Sequence, residues 1–203
     1  MNKLTFTHRQ VNNWLTAIVV GMGLYIAVLP WLPNVGLWIN QLFDSTDGYV
    51  YRGDLSAGRT NEEQLSDPPK DNRLVVPSIA LDEPVVEGGD LSVIGSGGTW
   101  RRPNTSSPDR GGNTVIVGHR FSYSDPATFY HLDKISVGER LAIWWEEKEY
   151  VYEVFETTVV PASAVSIEGA SDQSIVTLYT CTPIWTATNR LVVRAKLITG
   201  EDF

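Results

Sequence analysis

Hydrophobic positions change rhythm twice along the chain. Residues 14–32, WLTAIVVGMGLYIAVLPWL, run nineteen positions without a charge. At 1.5 Å rise per residue such a helix is about 28 Å long, close to the ~30 Å hydrocarbon core of a bilayer. The run has no polar face, which separates it from a buried amphipathic helix. It exceeds the roughly 7–15 apolar residues of a cleaved signal peptide. It also ends in Pro-Trp-Leu-Pro rather than a small-x-small cleavage site, so it reads as an uncleaved signal-anchor. Tyr25, Trp31 and Trp38 are placed to sit at a membrane interface. Residues 35–43, VGLWINQLF, fit either a membrane surface or packing on a folded domain. Residues 44–72 lose the apolar period and carry seven acids, three bases and several Gly, Ser and Pro, which predicts a solvated stalk.

From Arg73 onward, short β-branched and aromatic runs alternate with turn residues. They fall at 74–76, 85–86, 114–117, 141–145, 150–160, 175–179 and 191–198. This spacing predicts a β-barrel or sandwich. WWEEKEYVYEVFE reads as a hairpin with a charged turn over 146–149. Phe129, Leu132 and Ile135 recur every third residue within 125–137, which predicts one short helix, and 90–94 suits another. Residues 95–112, GSGGTWRRPNTSSPDRGG, form a long Gly/Ser/Pro-rich stretch that reads as a loop, either functional or a plain surface excursion.

Composition narrows this picture. The 203 residues are 42% hydrophobic and 20% charged, which is ordinary globular usage. Lys+Arg number 16 against 24 Asp+Glu, net −8, which argues against nucleic acid as a partner. The first 43 residues hold Lys3 and Arg9 and no acid, so the positive-inside bias puts the N-terminus in the cytoplasm and the body outside. The predicted division is a cytoplasmic tail (1–13), a transmembrane helix (14–33), a linker (34–72) and a folded extracellular domain (73–203). One cysteine and three histidines exclude an internal disulfide framework and a cysteine-rich metal site.

The one thiol, Cys181, ends the strand-like run SIVTLYTC. An unpaired cysteine outside the membrane is either a free reactive thiol or an intermolecular partner; alone it is also compatible with a small buried hydrophobe. A nucleophilic thiol needs a nearby imidazole or guanidinium to ionise. His8 lies on the predicted cytoplasmic side, and His131 falls in the amphipathic stretch FYHLDKI. His119 ends NTVIVGH, where a strand can present it. Arg190 opens the next strand nine positions after Cys181, so a hairpin would bring 181 and 190 to one end. There a guanidinium could stabilise a developing oxyanion. Arg120 and Arg194 are rivals, the latter about 13 Å farther along the strand.

TLYTC at 177–181, Arg190 and the Gly118-His119 pair together resemble the sortase pattern. RLVVPSIALDEPVVEG at 73–88 resembles that family's opening strands, and GGTWRRPNTSSPDRGGNTVIVGHR its approach to the histidine. FYHLDKISVGERLAIWW resembles its F-x-x-L-x-x-x-x-x-G-[DE] run, so the resemblance covers about 73–198. It implies a mainly β fold, an eight-stranded sortase barrel with one or two short helices behind an N-terminal transmembrane helix. It implies cysteine transpeptidation of an LPXTG-like C-terminal sorting signal on secreted proteins. The acceptor would be an amine such as a peptidoglycan precursor or a pilin lysine. By position, Cys181 matches the nucleophile, His119 the acid/base, Arg190 the oxyanion- and substrate-positioning arginine, and Thr180 a substrate-binding neighbour. His119-Arg120 and TWRRP are closer to class D/E-like or housekeeping-like members than to classes A or B. No cofactor is implied, and the sequence leaves calcium dependence open. A pilin-type lid motif is not evident before the first barrel strand; Tyr51 and Asp54 are the lid-like residues there. LPNVG at 32–36 partly matches a sorting signal and reads as chance. The alternatives are a thiol hydrolase of the same fold and a non-catalytic, membrane-anchored β-barrel binding module.

Overall fold

A computed structural model describes residues 8–28, 49–52, 67–95, 97–121 and 127–200. The chain divides into two units, Met1–Ser45 and Thr46–Phe203. The first contains α1 (His8–Val28), a helix of 21 residues with none buried, long and apolar enough to cross a membrane. It starts six residues before the charge-free run. Residues 29–33 of the expected span, and the Trp31 and Trp38 anchors, lie outside the described residues.

The second unit is a closed barrel. Its strands are β1 (Arg73–Val76), β2 (Leu81–Val86), β3 (Thr99–Arg101), β4 (Asn113–Val117), β5 (Arg140–Trp145), β6 (Lys148–Pro161), β7 (Ile175–Thr182) and β8 (Asn189–Gly200). Around the barrel they run β1-β2-β3-β4-β7-β8-β6-β5, and β5 closes onto β1. Pairing is antiparallel except for β2 with β3 and β4 with β7. Alternation sorts the side chains. Val176 and Leu178 of β7, Ile116 of β4, and Leu191, Val193 and Ala195 of β8 enter the main core. Tyr179 and Val117 face the other way, into a second cluster with Ile94 and Trp100.

The expected eight-stranded barrel is thus observed, with three local differences. The first is β3, which arises inside the stretch read as a loop. Only three residues long, it is held by β4 through Trp100↔Val117 and Arg101↔Ile116. The second concerns the short helices, which among the described residues are all of the tight 3-10 kind. Phe129, Leu132 and Ile135 are all buried, with the 3-10 turn over Leu132–Lys134. An unvarying spacing of three is the period of a 3-10 helix, whereas an α-helix would mix threes and fours.

The third difference is at the start of the unit. The sequence reads residues 49–52 as solvated stalk, yet they dock on the wall made by β1, β5 and β6. Tyr51 is buried against Val75, Ala142, Trp144 and Val151, with Tyr49 alongside. Glu149, expected in a solvated turn, lies on β6 and is only 6% exposed. Its carboxylate accepts the Tyr49 hydroxyl at 2.7 Å and the Arg52 backbone N–H at 2.5 Å. The hairpin turn is instead Glu146-Glu147, both at positive φ (51° and 64°), as a two-residue type I′ turn requires. Tyr51, considered as a lid residue, therefore sits on the wall opposite β7 in the strand order. Asp54 and residues 32–36 lie outside the described residues.

Candidate active site

The parallel ladder of β4 and β7 pairs Val117 with Tyr179 at its last rung. Just beyond it, Thr180 donates its hydroxyl to the Gly118 carbonyl at 2.8 Å, continuing the same register. His119 therefore follows β4 at the level of Cys181, the penultimate residue of β7. On the other side, Cys181 is paired with Arg190 in the antiparallel ladder of β7 and β8. Three strand ends converge, and a cavity of about 320 Å³ opens between them, lined by His119, Cys181, Arg190 and the Thr180 segment.

Local sequence sets this up. Gly118 has no side chain where one would collide: a Cβ there would lie 2.9 Å from the Phe129 ring. With that close approach, the Phe129 N–H donates to the His119 carbonyl at 2.9 Å and pins the backbone of the histidine. Cys181 is partly exposed and is the free thiol of the chain. The Arg190 guanidinium donates through Nη1 to the carbonyls of Ala187 (3.1 Å) and Asn189 (3.0 Å), which steadies it at the mouth of the β7–β8 loop. Thr180, expected to meet substrate, is 1% exposed and holds Gly118 with its hydroxyl.

The rest of the cavity wall includes Trp100, Arg102, Val117 and Tyr179. Arg102 lies over the Trp100 ring at 4.8 Å and donates to Glu168 at 3.0 Å. Tyr179 donates to the same Glu168 oxygen at 2.5 Å. Burial first, then this bond to a carboxylate, push the Tyr179 phenol well above its ordinary range, so it stays protonated and keeps Glu168 in place. Asp90 at the rim is held below its usual range by hydrogen bonds from Ser92. Trp100 and Arg102 belong to the 95–112 stretch that the sequence marks as a functional loop or a surface excursion. Glu168 carried no signal, because its partners lie 66 and 11 residues away along the chain.

The competing candidates fall elsewhere. Arg194 pairs with Glu156 at 3.2 Å on the β6–β8 ladder. Arg120 turns from the cavity toward Thr182 and Asp133. His131 caps the 3-10 turn before β5 with its ring against Tyr130. His8 belongs to the other unit. Among the described residues, no group of three or more His, Cys, Asp or Glu is disposed to hold a metal ion.

A family model described as the sortase domain matches residues 74–198. The chain belongs to the sortase family. Sortase SrtE1 of Streptomyces coelicolor is 26% identical over 140 residues, covering 62% of this chain and 39% of that relative. Sortase SrtE2 of the same organism is 28% identical over 145 residues, covering 63% and 56%. The chain thus spans well under two thirds of either relative's length. The crystal structure of sortase C-3 from Streptococcus pneumoniae superposes with a TM-score of 0.59 at 30% identity, over 70% of this chain and 69% of that one. Within this sortase, the residues expected from the family motif are the ones that meet at the ends of β4, β7 and β8.

Proposed function

We propose that this sortase is a membrane-anchored cysteine transpeptidase. It cleaves an LPXTG-like C-terminal sorting signal on secreted proteins and passes the new carboxyl end to an amine of a peptidoglycan precursor or a pilin. The observation that carries the reading is the meeting of Cys181, His119 and Arg190 in one cavity. Similarity to relatives named SrtE1 and SrtE2 supports the class E side of the expected subclass. In this reading α1 spans the membrane with the N-terminus in the cytoplasm, since Lys3 and Arg9 form its only charged flank before the acidic body.

Cys181, as thiolate, attacks the backbone carbonyl of the signal's fourth residue. Arg190 donates to the oxygen as negative charge develops on it. The C–N bond breaks, His119 gives its proton to the departing amine, and an acyl-thioester remains on Cys181. The acceptor amine attacks the thioester, His119 takes its proton, and the thiolate is released. The chain's own residues supply every group in this scheme. Trp100, Val117 and Tyr179 form an apolar wall suited to the signal's hydrophobic side chains.

The test is intact mass spectrometry of the full chain in detergent with a pool of LPXTG-like peptides, with and without an amine acceptor. An acyl adduct on Cys181 that moves to the amine supports the proposal. An adduct lost only to water points to a thiol hydrolase. No adduct from folded protein with a titratable thiol refutes the signal class and favours a binding module.

A further inference from the structure

We propose that Arg120 is a positioning residue that holds Cys181 and His119 in step; the inference rests on the transpeptidase reading of the same cavity. The backbone ladder between β4 and β7 stops at Val117↔Tyr179, before either reacting residue. Beyond it, side chains take over. The Thr180 hydroxyl donates to the Gly118 carbonyl at 2.8 Å, and Arg120 Nη1 donates to the Thr182 hydroxyl oxygen at 2.8 Å. These bridges join 118 to 180 and 120 to 182. They bracket His119 and Cys181 on both sides, in the register that the ladder had set.

Arg120 suits this task. Its side chain is only 10% exposed, and its Nη2 meets Asp133 at 3.2 Å in the 3-10 turn. That turn is tied in its own right to the main core by Leu132. The guanidinium thus fastens two strand ends to a third, rigid segment. A planar fork of fixed donors spans two acceptors at once, which a lysine ammonium on a flexible stem cannot reproduce. Arg120 does not line the cavity, so it acts through its neighbours and not on substrate.

The experiment is a mutant cycle on the full chain in detergent, read by the rate of Cys181 alkylation with iodoacetamide at neutral pH. His119→Ala should change that rate by about fivefold or more in the wild type and by less than about twofold in an Arg120→Met background. Turnover of the acyl-donor peptide should fall by about 10- to 100-fold in kcat with KM nearly unchanged, the signature of misplaced reacting groups. Thr182→Val removes only the accepting hydroxyl. It should reproduce most of the loss and add less than about twofold on top of Arg120→Met. It also carries the test alone if Arg120→Met does not fold. Equal His119→Ala effects in both backgrounds would overturn the inference and leave the transpeptidase reading standing. A His119→Ala change with no effect in the wild type removes the pairing itself and overturns both.

Discussion

Cys181 and Arg190 are direct cross-strand partners, the second rung from the loop end of the β7–β8 hairpin. Side chains opposed in this way stand about 4.5–5.5 Å apart at Cβ, within reach of one substrate atom. Residues 183–188 form the loop of that hairpin, so the chain can vary the loop without separating the pair.

This pairing predicts two different failures. Cys181→Ala should abolish the acyl adduct in intact mass spectra and leave thermal unfolding nearly unchanged, because the thiol is partly exposed and the substitution removes a single heavy atom. Arg190→Lys should bind peptide with similar KM and lose about 10²–10³-fold in kcat, the scale of one oxyanion donor. Near-normal turnover would remove Arg190 from the reaction.

Gly118→Ala should disturb the site from outside the cavity. The new Cβ would press on the Phe129 ring, which is fully buried and has nowhere to go. Overpacking of this kind costs about 1–3 kcal/mol. Chemical denaturation should register that loss, and kcat should fall because the backbone of His119 is carried by the same contact. Adding Phe129→Leu should recover part of the activity even though the core loses volume.

Asn113 braces the far side of the groove. It is buried, donates to the carbonyls of Ile167 (3.1 Å) and Gly169 (2.8 Å), and accepts the Thr177 hydroxyl at 2.8 Å. Asn113→Ala orphans these groups, at about 1–3 kcal/mol for each one left buried. Asn113→Asp should be worse, because it turns a carboxylate oxygen toward two carbonyls. Peptide KM should rise more than kcat falls, since the segment released carries Glu168 and with it the wall at Arg102 and Tyr179.

The docked segment at 49–52 predicts an alkaline limit. Burial, and then the neighbouring Glu149 carboxylate, raise the Tyr49 phenol above its ordinary value of 10.0. The folded state therefore keeps a proton that the unfolded chain gives up. Its contribution is complete below about pH 10 and is lost as pH rises further. Tyr49→Phe should be less stable at neutral pH, where Glu149 loses a donor. Its stability should fall more gently above about pH 10, by up to ~1.4 kcal/mol per pH unit. Parallel slopes for the two proteins in urea titrations would exclude this role.

Most strands were legible because apolar runs and turn residues alternate along 73–200, and the hairpin of β5 and β6 was legible from WWEEKEYVYEVFE. β3 was not, since Thr99–Arg101 is a strand only because β2 and β4 flank it. Cys181, His119 and Arg190 were readable together because strand ends and a hairpin connect them. Arg120 was read as a rival to Arg190. Its identity as a guanidinium is local, but its partners Thr182 and Asp133 come from two other segments. Glu149 was misread for the same reason: a glutamate in a charged run looks solvated unless the tyrosine 100 residues earlier is known to bind it.

Because residues 49–52 grip the barrel wall and Arg73 opens β1, the intervening chain returns to the body at both ends. A single cut engineered between 53 and 66 would not by itself free the domain. The two fragments would stay associated through Tyr49, Tyr51 and Arg52, as a nicked protein does, and their separation would follow the dissociation rate of that clasp. The hold of residues 49–52 on the barrel wall is non-covalent, and its lifetime can be tuned by one buried carboxylate.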